Sequence, residues 1–291
     1  MQKLSNEQIG ILWIVGASIA YGIMPVWSVV SQNNGISTDF ILFFRFLCSA
    51  FLLFLWALYK RISLKLTKLQ YLQFFFLGGI LYIIQSFAYL DSLRYIPASL
   101  SVLIYHIYPI IVALIALIFL RQKLQTKTLF SLFLCFAGLA IILQPPKDLQ
   151  LSVYGVILSL IGALFYGLYV VFSKSYTSNL SSVVCSFYIC LFAALMILGF
   201  MIPNPPQFNS FNPIGIFALL GLTFVSTLFP MIAYFLGMPR INVTKTAILG
   251  MIEPLVGVLL SLWLLGENLS LLQYFGGFLI LFGSLVLFIK R

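Results

Sequence analysis

Ten apolar stretches of roughly 17–25 residues follow one another along this chain, and nearly every basic side chain falls between them. A helix rising about 1.5 Å per residue needs about 20 such residues to cross a hydrocarbon core, so each stretch is long enough to span one. The stretches run approximately over 9–30, 40–59, 70–90, 96–120, 128–144, 151–172, 183–202, 214–237, 241–265 and 269–289. With 62% hydrophobic and 8% charged residues, little chain is left for a soluble catalytic domain. The expected fold class is an all-α polytopic membrane protein of ten transmembrane helices. The first stretch is too long for a signal-peptide core and nine more follow it, so it reads as a span rather than a cleaved leader.

A formal net charge of +10 invites a nucleic-acid reading. The placement of the charges argues against it. One alternate set of connections holds Lys3, Lys60, Arg61, Lys65, Lys68, Arg121, Lys123, Lys127, Lys174, Arg240, Lys245, Lys290 and Arg291; the other holds Arg94 and Lys147. Thirteen against two is a positive-inside asymmetry, which puts the N- and C-termini in the cytoplasm. Asp39, Asp91, Asp148 and Glu267 lean to the other side. The expected partners are therefore the lipid bilayer and a small-molecule substrate, with no nucleic acid. Loops this short suit a plasma membrane, by default a bacterial inner membrane. Cys48, Cys135, Cys185 and Cys190 lie within apolar stretches, without metal-ligand spacing, and read as small buried hydrophobes. No metal and no cofactor is expected.

Sliding the chain on itself by 145 residues aligns Tyr21-Gly22 with Tyr166-Gly167, Ser28 with Ser173 and Ala88-Tyr89 with Ala233-Tyr234. The same shift aligns Pro109 with Pro254 and Gly138 with Gly283. This divides the chain into repeats over 1–145 and 146–291, each with five stretches. An odd number of crossings per repeat turns the second copy over. Two inverted five-helix repeats are an architecture of secondary transporters, with the substrate held near the midplane where the halves meet.

Four short runs add a family likeness: Phe44-Arg45-Phe46, Tyr95-Ile96-Pro97-Ala98-Ser99, Glu253-Pro254-Leu255-Val256-Gly257 and Leu265-Gly266-Glu267. With the length, span number and duplication, they make a chain that resembles, end to end, the EamA-type permeases of the drug/metabolite transporter superfamily. Arg121-Gln122 stands where the first repeat would carry its Gly-Glu pair, a departure from the pattern. The resemblance implies transport of small organic solutes and leaves open amino acids, sugars, nucleotides or drugs.

A face turned to lipid needs no polar groups, so polar residues at helical spacing mark faces turned inward. Such faces are Ser18, Tyr21, Pro25 and Ser28 in the first stretch and Tyr82, Gln85, Ser86 and Tyr89 in the third. Their repeat partners carry Tyr166, Tyr169 and Ser173 in the sixth and Thr223, Thr227, Pro230 and Tyr234 in the eighth. The fourth stretch adds Tyr105, His106 and Tyr108, and the ninth Glu253. The first, third, fourth, sixth, eighth and ninth stretches therefore read as cavity walls. The plainer alternative is tyrosines that satisfy one another in a packed bundle. The fifth and tenth read as outer supports or as a candidate homodimer contact. Gly155, Ser159, Ala163 and Gly167 form a small-residue stripe suited to close packing between the halves.

The candidate substrate-binding set is Tyr21, Arg45, Tyr82, Gln85, Tyr89, Tyr105, Tyr108, Tyr166, Tyr169, Tyr234 and Glu253. Pro25, Pro109, Pro230 and Pro254 should free the carbonyls four residues earlier, and Pro109 and Pro254, the duplicated pair, are candidate hinges. Glu253 falls about 18 Å from either end of its stretch, near the midplane. There it reads as a binding group for a substrate amine, as a proton-coupling group, or as packing beside its proline. Arg45 either snorkels to the headgroups, pairs structurally, guards the outer mouth or grips a carboxylate. His106, the one histidine, is a second proton-coupling candidate or a neutral wall residue.

The chain has no phosphate-binding Gly-x-x-x-x-Gly-Lys-Ser/Thr loop, no potassium-filter run and no His-Glu-x-x-His or Gly-x-Ser-x-Gly motif. A non-enzymatic secondary transporter of an amino acid or derivative, working by alternating access with protons as a candidate coupling ion, is the expectation. The runner-up is an exporter of lipophilic cationic drugs. The reading from a different class is a membrane-embedded enzyme acting on lipid-linked substrates.

Overall fold

The computed structural model describes residues 4–92, 95–96, 98–119, 121, 125–143, 152–177, 179–203, 212–265 and 270–286. Pro97, Gln122, Gly266 and Glu267 lie outside these, as do the loop and terminal charges Lys3, Arg94, Lys123, Lys147, Asp148, Lys290 and Arg291.

Ser5 opens the first helix with a capping box: its hydroxyl accepts from the Gln8 N–H while the Gln8 side chain accepts from the Ser5 N–H. The helices are α1 (Asn6–Gly22, resumed over Met24–Asn33), α2 (Thr38–Tyr59), α3 (Lys68–Phe74 and Tyr82–Ser92) and α4 (Ala98–Tyr105 and Tyr108–Ile118). There follow α5 (Thr126–Leu143), α6 (Val153–Thr177), α7 (Ser182–Met201) and α8 (Pro213–Thr223 and Phe229–Gly237). The last two are α9 (Val243–Gly250 and Ile252–Leu265) and α10 (Leu271–Val286). No strand occurs among the described residues. Among the described residues eight helices are long and apolar enough to cross a membrane, and α10 is a shorter apolar helix. Large side chains on the outer faces, such as Phe51, Leu58, Phe133, Phe217 and Phe278, are exposed, as a lipid-facing surface requires. The chain is an all-α, multi-pass membrane protein.

Interruptions in the helices fall where the repeat places them. The first piece of α4 ends at Tyr105 and that of α9 at Gly250, equivalent positions under the 145-residue shift. Each restart carries its proline, Pro109 or Pro254, in the first turn, where the missing N–H costs nothing. Both α3 and α8 pass through a π-helical turn, at Phe75–Leu81 and Phe224–Leu228, and these overlap under the same shift. The exception is instructive. Helix α1 breaks at Ile23 beside Pro25, whereas its partner α6 runs unbroken with Val170 at the equivalent place. The break follows the proline rather than the repeat.

Helices α5 and α10 pack on each other within the chain. A Cβ at Gly138 would lie 2.5 Å from the Gly276 carbonyl oxygen, so the two backbones touch where both side chains are hydrogen. The Ser131 hydroxyl donates to the Gly283 carbonyl at 2.5 Å across the same seam. Their glycine faces thus meet within one subunit, and only their outer, phenylalanine-bearing faces are free for lipid or another protein. The small-residue stripe of α6 receives the first repeat: Gly155 meets Tyr95 and Ile96, Ser159 hydrogen-bonds Ser101 at 3.1 Å, and Gly167 meets Ile111.

Candidate functional site

Enclosed by α1, α2, α3, α4, α6, α8 and α9 is a cavity of about 290 Å³. Its walls carry Tyr21, Arg45, Tyr82, Gln85, Tyr89, Tyr105, His106, Tyr166, Tyr169, Tyr234 and Glu253. Tyr108, the remaining member of the expected binding set, lies elsewhere. It lines a much smaller void with Ile14, Ser18, Thr246 and Ala247. Tyr21, Tyr166, Tyr234 and Glu253 line both spaces and so form the partition between them.

The two ends of the cavity differ. At one end it reaches Gln32, which is exposed, and Thr38, which accepts a hydrogen bond from the Gln32 amide at 3.2 Å beside the α1–α2 connection. Beyond the partition the structure is closed. The Tyr108 hydroxyl donates to the Ala247 carbonyl at 3.1 Å, and Lys174 Nζ donates to the carbonyls of Met238 and Ile241 at 2.6 and 2.9 Å. Lys245 pairs with Glu7 near the start of α1, and Arg240 donates to Asn6 Oδ1 at 3.2 Å. A Cβ at Gly10 would clash with Arg240 and the Gly237 carbonyl, so α1 and the end of α8 are in backbone contact there.

Tyrosine rings make most of the wall. Tyr166 stacks on Tyr105 at 5.5 Å and on Tyr169 at 5.9 Å between centroids, and meets Tyr108 edge-on at 4.6 Å. Tyr89 leans on Tyr105 at 4.7 Å, and Tyr82 on Tyr169 at 5.2 Å. A polar chain fixes the orientation of this face. Tyr105 donates to Gln85 Oε1 at 2.8 Å, Gln85 Nε2 donates to Ser86 Oγ at 2.8 Å, and Ser86 donates to the Tyr82 carbonyl at 2.8 Å. The expectation of mutually satisfied tyrosines therefore holds for part of the set, around a cavity that stays open.

Glu253 is delivered to the partition by two helix breaks. It sits three residues after the Gly250 break in α9, and its own carbonyl oxygen would lie 2.6 Å from a Cβ at Gly22, the last residue before the break in α1. Only glycine permits that approach. The Glu253 side chain is half-buried, with no hydrogen bond or ion pair among the described residues.

Arg45 does not snorkel. It is 5% exposed and lines the cavity, with Nη1 against Met24 Sδ at 2.7 Å and Nε without a partner. His106 occupies the turn between the two pieces of α4, 4% exposed, with Nδ1 at 2.8 Å from the Val102 carbonyl. That carbonyl can only accept, so Nδ1 carries a proton, and Nε2, unpartnered among the described residues, is an acceptor whenever the ring is neutral. The Tyr234 hydroxyl, also buried in the wall, is likewise unpartnered.

Other polar residues serve the helices instead. Thr223 and Thr227 turn back to the carbonyls of Leu219 and Leu222, so of the polar face expected on α8 only Tyr234 reaches the cavity. Ser173 is buried outside the cavity wall, and Ser18 bonds to Ile14 and faces the small void. Met24, Gln32, Thr38, Ile41 and Leu42 line the cavity without having been singled out. Apolar wall residues such as Ile41 and Leu42 carry no polar signal; Gln32 and Thr38 looked like loop-end residues. No cluster of three metal-ligating side chains occurs among the described residues.

The EamA-like transporter family model matches the chain twice, over residues 8–144 and 153–289. An uncharacterized transporter from Archaeoglobus fulgidus is 28% identical over 200 residues, covering 68% of this chain and 70% of its own length. Another from Clostridium kluyveri is 23% identical over 289 residues, covering 95% and 92%. A solved structure described as the crystal structure of a protein aligns with a TM-score of 0.83 at 16% identity, over 96% of both chains, a likeness of fold.

Proposed function

This chain belongs to the EamA-like transporter family, and on that premise we propose that it is a secondary transporter of a small organic metabolite, an amino acid or derivative, across the plasma membrane. The proposed cycle is alternating access between repeats 1–145 and 146–291 inserted in opposite senses, with both termini cytoplasmic. The observation that supports it best is the cavity itself: about 290 Å³, reaching exposed Gln32 at one end and shut beyond Glu253 at the other. In the proposed orientation the open end is external, and the Tyr108 and Lys174 contacts are the closed inner gate.

The cavity volume is at the small end of the range for organic ligands, which suits a compact solute. Stacked tyrosine faces suit a partly planar one. The breaks before Pro109 and Pro254, at equivalent depth and each beside the partition, act as the hinges of the cycle. Glu253 and His106 are the proposed proton-exchanging groups, since both line the cavity and Glu253 also belongs to the partition at its closed end. One observation favours a second reading, the export of lipophilic cations: a carboxylate among aromatic rings is the chemistry that binds them.

A thermal-shift screen of metabolites, followed by flux of the hits into proteoliposomes at two pH values, tests the proposal. Solute should cross chemically unchanged. Recovery of a reaction product instead, above all from a lipid-linked substrate, would replace the carrier with an enzyme.

A further inference from the structure

Arg45 is the one cation in the wall of the described cavity, and no carboxylate among the described residues pairs with it. It is 95% buried, yet the group that Nη1 touches is a thioether, a neutral and weak acceptor. Its other close neighbours are also uncharged: the ring of Phe46, 4.3 Å below the guanidinium carbon, and the Tyr82 hydroxyl. Nε has no partner, and no carboxylate lies within ion-pair reach among the described residues. Burying a guanidinium in this way is costly unless an anion completes it. Its planar fork is shaped for a carboxylate, which takes two parallel N–H bonds.

Deeper in the same cavity the chemistry is reversed. The Nε2 lone pair of a neutral His106 and the Glu253 carboxylate are acceptors, and neither has a hydrogen-bond donor among the described residues. Arg45 lies seven residues from the start of α2, about 10 Å along the axis, and Glu253 twelve from the end of α9, about 18 Å. With alternating crossings these two helix ends share one face of the membrane. Along the membrane normal Arg45 and Glu253 are thus offset by about 8 Å, a difference in depth that a carboxylate and an amine on neighbouring carbons can bridge once a contact is allowed at each end.

We propose that Arg45 is the specificity-determining residue of this cavity: it grips the carboxylate of the solute on the mouth side, and so the solute enters with its amine or other donor directed inward, toward Glu253 and His106. This rests on the carrier reading and sharpens it, because it makes a free carboxylate obligatory and turns away simple lipophilic cations.

The test needs no prior substrate. Purified full-length protein is titrated by isothermal calorimetry with a panel of aromatic and aliphatic amino acids, their methyl esters and the matching decarboxylated amines. Acids should bind about 30-fold or more tightly than their esters, the cost of leaving a buried charge unanswered. Arg45→Gln should erase that ratio, and Arg45→Lys should restore part of it, an outcome that a purely structural arginine would not give. The ratio on the native protein stands even where Arg45→Gln fails to fold. The inference is overturned if no acid in the panel binds more tightly than its ester. Flux of an ester or amine through proteoliposomes of the native chain would then leave the carrier standing while this specificity falls.

Discussion

The Tyr108 hydroxyl donates its hydrogen bond to the carbonyl oxygen of Ala247, 3.1 Å away in space and 139 residues along the chain. The bond joins the break in α4 to the short first piece of α9, next to the equivalent break at Gly250. Gly250 has to be glycine for the ring to lie there, since a Cβ would fall on the tyrosine oxygen. The two interrupted helices are therefore fastened to each other on the closed side of the cavity, below the partition built by Tyr21, Tyr166, Tyr234 and Glu253.

Tyr108→Phe keeps the ring contact with Tyr166 and removes only that bond. At about 1 kcal/mol for a neutral hydrogen bond, the closed side should open about fivefold more often. Hydrogen exchange at the amides of Ala247 to Gly250 should accelerate by the same factor. Unchanged exchange would mean that the bond does not hold the gate.

Lys174 is clamped between the Met238 and Ile241 carbonyls, which fastens the end of α6 to the end of α8. Lys174→Met preserves the apolar stem and deletes both charge-assisted bonds. A loss of about 2 kcal/mol is expected, read as a lowered Tm in detergent. An unchanged Tm would show that water replaces the ammonium without cost.

The α5–α10 seam predicts a contrast between two glycines. Gly138→Ala drives a methyl into the Gly276 carbonyl and should destabilise by about 1–3 kcal/mol. Gly199→Ala, with nothing within 4 Å of its would-be Cβ, should be neutral or slightly stabilising in a helix. Equal effects at the two sites would contradict the packing described for α5 and α10.

Glu253 is the one carboxylate in the wall of the described cavity. Glu253→Gln keeps the shape and removes the charge and the exchangeable proton. In the proposed cycle, flux falls and its pH dependence flattens. Flux that responds to pH as the native protein does would assign proton exchange to another group or to none.

Much of this was legible in the sequence because a bilayer leaves few choices. Apolar length sets the helices, and the 145-residue repeat located the paired breaks at Tyr105 and Gly250 through their prolines. Polar spacing found the tyrosine faces, because a hydroxyl in a span has to turn toward protein or water. It misassigned Thr223 and Thr227, whose hydroxyls are satisfied by their own helix, a possibility that spacing cannot separate from a wet face. Arg45 was open between headgroup and cavity, since its depth allowed both; packing against Met24 and Phe46 decided it. Tyr108 is set off from the binding residues by the turn at His106 and Ile107, which swings it to the closed side of the partition, and no periodicity records such a turn.

Alternating access is tested most directly by labelling from both sides in a background where the four native cysteines are replaced. Ser86→Cys reports the wide cavity and Thr246→Cys the closed void. In sealed vesicles of either orientation, an impermeant thiol reagent should reach position 86 from the α1–α2 side at rest. On adding transported solute, position 246 should become reactive from the opposite side as position 86 slows. Labelling of position 86 that ignores solute, with position 246 silent from both sides under every condition, would contradict the account.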